Sequence, residues 1–514
     1  MKKIENILTI VVTVVLCVGC DRNLDIKPTK ELESDYFSDE ERMQRGVRGV
    51  YAKITDFYGF NNNAPSHLLW LLPGDDLMGN NPRTKDTFKG LSSDDGDVNF
   101  VWNRLYQLNA RANTMLEKIE ENLNVYSNPE LADYNKGELL FIRSWTFFKL
   151  WTWWGKAPAI TERIQSLSDI HNPPTQGVEL LDIAIADLEA AVQLLPDEWP
   201  AEESGRITKD GANGLLVKCY VTRACNNGIS TADYNAAIEA FERISPTRRL
   251  TSHFGENFDY RFENNEESLF EFQASLKPAE NPWLDNDFGD GVGTMGAYYK
   301  HFENDWTNQG TIVAPTQKMV SMFDPEDPRI TETFAKVSDV AFSFNGGYKM
   351  VKYINGERGK YAGIGVINSI NNTRILRLAD VKLLVAEAYL QTGQEGEALE
   401  QVNDIRKRAR MSTADGMEAS QPADLTAIAM QDIIDERMRE LVGEEGIRWN
   451  DLVRWHQAGF INLQAWTKMD FGMGASYDDD LWGFDANTHV LMPIPVSEMD
   501  NNPEMLRSGQ NPGY

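Results

Sequence analysis

Basic residues, histidines and cysteines are scarce in this chain, and each scarcity removes a class of function. Its 514 residues carry 50 Lys and Arg against 78 Asp and Glu, a formal net charge of -28. That balance excludes a nucleic-acid partner, because affinity for a phosphate backbone needs clustered Lys and Arg that release counterions. The six histidines are scattered without metal-ligand spacing, there is no His-Glu-x-x-His, and no Gly-x-Ser-x-Gly elbow presents a nucleophile. No motif implies a cofactor or a metal. Asp285 to Gly291 has some of the acidic spacing of a calcium loop, but its glycine falls early and Gly296 stands where a bidentate Glu belongs. Of four cysteines, only Cys219 and Cys225 lie beyond residue 20. On one predicted helix these two sit about 9 Å apart along the axis, too far for a disulfide, and they read as small core residues.

What is present is enough to fold. Hydrophobic residues make up 42% of the chain and aromatics 10%, sufficient for one large or two ordinary domains. Lys2 and Lys3 precede an apolar run from Ile7 to Val18, too short to span a bilayer and the length of a signal h-region. It ends in Leu16-Cys17-Val18-Gly19-Cys20, which resembles the lipobox of bacterial lipoproteins, with Cys17 where leucine is usual. The expectation is a signal peptide over 1–19 and acylation of Cys20; a plain signal peptide and a buried helix are the alternatives.

Helical periodicity dominates the rest. A polar tether to about Ser34 leads to a helix start at Ser38-Asp39-Glu40-Glu41. Tyr36, Met43, Val47, Val50, Tyr51 and Ile54 form one apolar stripe, and Trp102, Leu105, Tyr106, Leu108, Ala112, Met115 and Ile119 another. Residues 58–99 between them are rich in Gly, Asn, Asp and Pro, an irregular excursion of the kind that carries function. Later stretches pair as hairpins: Glu138 to Trp154 with Leu180 to Leu195, Asp210 to Ala224 with Tyr234 to Ile244, and the helix at Leu378 to Leu390 with the stripe Ala398, Val402, Ile405, Ala409. These resemble tetratricopeptide hairpins. A helical block over Asp432 to Gln457 follows, and Leu491 to Pro495 must run extended because its prolines repeat. Residues 275–372 form a loop-rich insert with short β-like pieces such as Tyr348 to Tyr353.

Several strings then coincide in order: Phe37-Ser38-Asp39-Glu40-Glu41, Ala110-Arg111-Ala112-Asn113, Ile405-Arg406-Lys407-Arg408-Ala409, Glu436-Arg437-Met438-Arg439-Glu440-Leu441, Arg448-Trp449-Asn450-Asp451-Leu452 and the closing Gln510-Asn511-Pro512-Gly513-Tyr514. Together with the lipobox they resemble the SusD/RagB family of Bacteroidetes outer-membrane lipoproteins, over essentially the whole mature chain. The resemblance implies a mainly α fold over a single domain, 20–514. Tetratricopeptide-like hairpins form a right-handed superhelical scaffold at about 35–57, 100–245 and 373–457, with long irregular loops and minor β structure. It also implies no catalytic role, a surface-exposed place on the outer membrane through the lipid anchor, a SusC-like TonB-dependent transporter as partner, and an oligosaccharide as ligand.

A sugar offers an apolar C–H face to an aromatic ring and a rim of hydroxyls to amides, carboxylates and Arg. Trp283 and Trp306 in the insert are flanked by Asn, Asp and Gln, and Tyr298 and Tyr299 lie between them. Each ring either meets a ligand or anchors its own loop. In the earlier excursion Trp70, Asp75, Asp76, Asn80 and Arg83 could face the same cleft, while Asp75, Asp76 and Asn80 also suit plain turn chemistry. The dense cluster Trp145, Phe147, Phe148, Trp151, Trp153 and Trp154 has helical spacing and reads as core, as do Trp449 and Trp455, with Arg448 and Asp451 bracing their helix. Peptides as ligand, a secreted glycoside hydrolase and a scaffold for protein partners stay open as other readings.

Overall fold

The computed structural model describes residues 36–54, 57, 68–79, 84–166, 169–226, 228–274, 313–336, 348–353, 371–474 and 478–514. Among these residues ten long helices carry the architecture: α1 Glu40–Lys53, α2 Gly96–Glu121, α3 Pro129–Trp154, α4 Glu179–Leu194, α5 Lys209–Ala224, α6 Thr231–Glu242, α7 Leu378–Gln391, α8 Glu395–Met411, α9 Met430–Leu441 and α10 Ile447–Ala458. The start of α1 follows from its sequence, since the Asp39 side chain accepts from the Arg42 N–H at 2.9 Å and Glu40 and Glu41 fill the first turn. Its predicted stripe faces inward, with Met43, Val47, Val50, Tyr51 and Ile54 buried.

Helix α3 is the centre of the molecule. Asn128 caps it, Pro129 takes its first position, and from Leu139 onward only Leu140 keeps appreciable exposure. The six aromatics read as core are all buried there. It packs against α2 on one side and α4 on the other; α4 then meets α5, α5 meets α6, α6 meets α7, and α7 meets α8 and α9. Each hairpin thus touches mainly its neighbours in sequence, as in helical repeats. Close approach uses small side chains: a Cβ on Gly214 of α5 would lie 2.8 Å from Leu269 Cδ1. Cys219 and Cys225 are buried core thiols, both pushed up to about 12 by burial.

The block expected over 432–457 is two helices, because Gly446 holds φ at +64° and starts α10 in a new direction. A Cβ on Gly446 would come within 2.6 Å of the Trp70 ring. Minor β structure consists of three two-stranded antiparallel sheets among the described residues, pairing β1 Leu77–Gly79 with β3 Val313–Pro315, β2 Ser268–Phe272 with β6 Thr373–Arg377, and β4 Phe334–Lys336 with β5 Tyr348–Met350. The excursion at 58–99 is less irregular than expected, since it holds β1, two single helical turns and the first residues of α2.

A layer of buried charge joins the second half of the chain. Arg377 at the end of β6 donates to Glu267 at 2.7 Å, to Glu440 at 2.7 Å and to Glu444 at 2.6 Å. Glu440 also accepts from Arg329 at 3.0 Å and from Arg408, while Lys352 donates to Glu444 at 2.9 Å. In the same helix Arg437 pairs with Asp380 at 2.8 Å and Asp451 at 2.6 Å. The charged string from Glu436 to Glu440 therefore supplies buried partners for five other segments.

The carboxy-terminal tail runs extended over the end of α3, as its prolines require. Met492 N–H donates to the Trp153 carbonyl at 2.6 Å, Trp154 Nε1–H to the Pro493 carbonyl at 2.9 Å, and the Asn511 amide to the carbonyls of Trp154 and Met492 at 2.9 and 2.8 Å.

Candidate functional site

Three of the residues expected at a ligand site, Trp70, Asp75 and Asp76, lie within the described residues, and all three are interior. Their exposures are 2%, 0% and 3%. Trp70 belongs to a mutual aromatic cluster, with Phe57 4.8 Å away by ring centroid, Trp153 at 5.5 Å and those two rings 6.2 Å from each other, and its burial leaves no ring surface for a sugar. Asp75 is held by Arg448 through two bonds of 2.5 and 3.0 Å and by Lys318 at 2.6 Å. These expectations are corrected: the three residues are buttress. Arg448 likewise braces this turn and not its own helix, whereas Asp451 does pair with Arg454 one turn on, at 2.9 Å.

The buttress has a defined task. Thr316, next to β3, donates its N–H to the Asp76 carbonyl at 2.8 Å and its hydroxyl to the Asp75 carbonyl at 2.7 Å. Asp75 and Asp76 thereby tie the turn before β1 to the residues after β3. Asn80 and Arg83, Trp283, Tyr298, Tyr299 and Trp306, the Asp285 to Gly291 stretch and Cys20 lie outside the described residues. The residues that bound those segments are bonded to one another. Gly79 pairs with Val313, so the ends of 80–83 and 275–312 meet across β1 and β3. Ala274 N–H donates to Asn372 Oδ1 at 2.6 Å, Lys336 pairs with Tyr348, and the Asn371 amide donates to the Tyr353 carbonyl at 3.0 Å. The described residues at the bounds of these segments thus form a frame of bonded pairs.

The two aspartates differ in charge. Burial alone would raise Asp75, but Arg448 and Lys318 outweigh it and hold that carboxyl well below the usual range. Asp76 has no ion-pair partner among the described residues; burial, then the Asp75 charge beside it, outweigh the pull of Arg448 and push it up to about 7. Its Oδ2 accepts from Gly443 N–H at 3.4 Å, and Oδ1 has no hydrogen bond among the described residues. The folded state thus keeps a proton on Asp76 that the unfolded chain releases near pH 4, so stability falls as pH rises from about 4 to about 7. Asp76→Asn is expected to remove that slope and to raise stability by about 2–3 kcal/mol near pH 8, read from urea unfolding on both sides of neutrality.

Among the described residues no group of His, Cys, Asp and Glu is placed to hold a metal ion, and no helix is long and apolar enough to cross a membrane.

The family model for the SusD family matches residues 235–514. This chain belongs to the SusD family. A second model, described as starch-binding and associating with the outer membrane, matches residues 24–221. A SusD-like protein of Formosa agariphila, P38, is 25% identical over 503 residues, covering 89% of this chain and 93% of that one. Among solved structures, a SusD homologue from Bacteroides thetaiotaomicron aligns with a TM-score of 0.75 at 21% identity, covering 94% of this chain and 99% of that chain. A laminarin-binding SusD-like protein aligns at 0.68 and 21% identity, covering 93% of this chain and 100% of its own. A structure with a xylogluco-oligosaccharide aligns at 0.71 and 20% identity, covering 90% and 97%. The SusD fold is shared with these proteins along nearly the whole chain.

Sequence reasoning missed Lys318 and Thr316, whose partners lie far away in the chain. The signal for Arg448 was present, because an arginine amid Trp449, Leu452 and Trp455 on a core helix must find a buried carboxylate.

Proposed function

We propose that this chain is a cell-surface lipoprotein, anchored through Cys20 after loss of residues 1–19, that binds oligosaccharide and passes it to a SusC-like TonB-dependent outer-membrane transporter. It works by capture, without breaking bonds. The observation that carries the reading is the pairing of Gly79 with Val313 across β1 and β3: the segment bearing Asn80 and Arg83 and the segment bearing Trp283, Tyr298, Tyr299 and Trp306 each have one end on that support. Family membership supports it, as do the starch-binding description of the amino-terminal model and the saccharides named for two structural neighbours. A rigid support lowers the ordering cost of each ligand contact.

Calorimetry of the Cys20-onward protein against plant, host and microbial oligosaccharides tests the reading. Trp283→Ala and Trp306→Ala are each expected to weaken binding by about 1–3 kcal/mol, in proportion to the ring surface lost. Full affinity in both variants rejects these residues as the site, and release of shorter sugars by the purified protein rejects the non-catalytic reading.

A further inference from the structure

A cavity of about 300 Å³ opens where the turn joining α4 to α5 meets the loop before β2. Trp199 lines it, in a string Asp197-Glu198-Trp199-Pro200 of the same polar-flanked kind that drew attention to Trp283. The ring is fixed before any ligand arrives. The Arg206 guanidinium lies 3.6 Å from its centroid, Tyr134 meets its edge at 5.6 Å, and its Nε1–H donates to the Ile207 carbonyl at 2.9 Å. Its only polar atom is thus engaged internally, and what remains for the cavity is apolar ring surface.

The rest of the wall supplies hydroxyl-binding groups held in place. Asn264 sits at φ +51°, its N–H pinned by the Glu271 carboxylate at 3.1 Å, and its side-chain amide exchanges two bonds of 2.9 Å with Gln273. Gly205, at φ +91°, makes room for that amide pair, since a Cβ there would stand 2.6 Å from Gln273 Cδ. Arg248 gives Nε to Asp210 at 2.9 Å and Nη1 to the Ser268 carbonyl at 3.0 Å, which leaves Nη2 without a partner among the described residues. The exposed hydroxyls of Ser204 and Thr247 complete the wall.

Charge decides the ligand class. Arg206 is neutralised by Glu138 at 2.5 Å, Glu271 by Arg374 at 3.2 Å, Arg248 by Asp210 and Glu266 by Arg249 at 3.2 Å. An anionic ligand finds no spare counter-charge and is opposed by the exposed Glu198, while a cation would meet only that one solvated carboxylate. A preset ring, amides, a free guanidinium NH2 and hydroxyls suit a neutral polyhydroxylated molecule, and the volume fits about one or two sugar rings. We propose that this cavity is a second carbohydrate site, built on the helical scaffold and separate from the segments that carry Trp283 and Trp306. The choice of a saccharide rests on the glycan reading above; the site itself rests on the cavity.

The test is fluorine NMR of the Cys20-onward chain labelled with fluorotryptophan, titrated with maltotriose, laminaritriose, cellotriose and xylotriose. The Trp199 signal, identified by its loss in Trp199→Phe, is expected to shift saturably with at least one of these. The shift is expected to persist in the Trp283→Ala/Trp306→Ala double variant and to vanish in Ser204→Phe, which fills the cavity from an exposed position and leaves the thermal midpoint unchanged. A Trp199 signal unmoved by all four sugars overturns the proposal. So does a shift lost in the double variant, or one that survives Ser204→Phe. Failure of the loop site reads separately, as unchanged calorimetric affinity in the Trp283 and Trp306 variants.

Discussion

Glu440→Ala is expected to lower the unfolding free energy by about 3–5 kcal/mol, the usual cost of removing one partner from a buried ion pair. The Glu440 carboxylate is fully enclosed and accepts from Arg377, Arg329 and Arg408. Without it three guanidinium groups face each other in a site closed to water. Glu267, Glu436 and Glu444 are already committed to the same cations and cannot cover the deficit. Burial raises the Glu440 carboxyl, but Arg408, Arg377 and Arg329 outweigh it and hold the group well below the usual range. Its contribution is therefore complete above the unfolded carboxylate value near 4 and is lost as pH falls. Urea midpoints of the wild-type chain should drop steeply in that acid range and those of Glu440→Ala less so. Equal midpoints for the two proteins at neutral pH reject the account. Glu440→Gln, which keeps an acceptor and loses the charge, should fall between them.

Asp75→Ala should cost a similar amount, about 3–5 kcal/mol, because Arg448 is left buried without its carboxylate. The consequence here extends to function. Lys318 and Arg448 belong to opposite flanks of the frame, one just past β3 and one on α10, and Asp75 is the anion they share. Once that bond is cut, β1 and β3 keep their ladder and the Thr316 hydrogen bonds but lose the ionic clamp between their flanks. Oligosaccharide affinity is expected to fall with stability, although Asp75 has no surface to offer a ligand. A second readout separates this from general unfolding: without the Asp75 charge, Asp76 loses the repulsion that raises it and titrates at lower pH. An Asp75→Ala protein with wild-type melting and wild-type affinity would show that the pair is ornamental.

The helices were legible because their information is local. Apolar residues at three- and four-residue steps, Asp39 as a cap and the proline-punctuated tail each state their structure within a dozen residues. The dense aromatics of α3 read correctly as core for the same reason. Trp70, Asp75 and Asp76 were misread because their partners are remote, with Arg448 lying 373 positions from Asp75. Local rules then favour a turn or an exposed loop, although the run Leu68-Leu69-Trp70-Leu71-Leu72 carried the opposite signal. Trp199 escaped notice because it lies in a short connection, outside the excursions where function was sought. The break between α9 and α10 was visible as Gly443 and Gly446, but nothing nearby said that Trp70 would occupy the space beside it.

The way the tail is fastened bears on how the chain is made. Residues 491–511 are made hundreds of residues after α3, yet they supply the acceptor for the Trp154 indole and the donors for the Trp153 and Trp154 carbonyls. A nascent chain cut short before them has no means of finishing its own centre. It leaves the Trp154 indole and two α3 carbonyls without these partners, so a missing tail is felt at the middle of the fold.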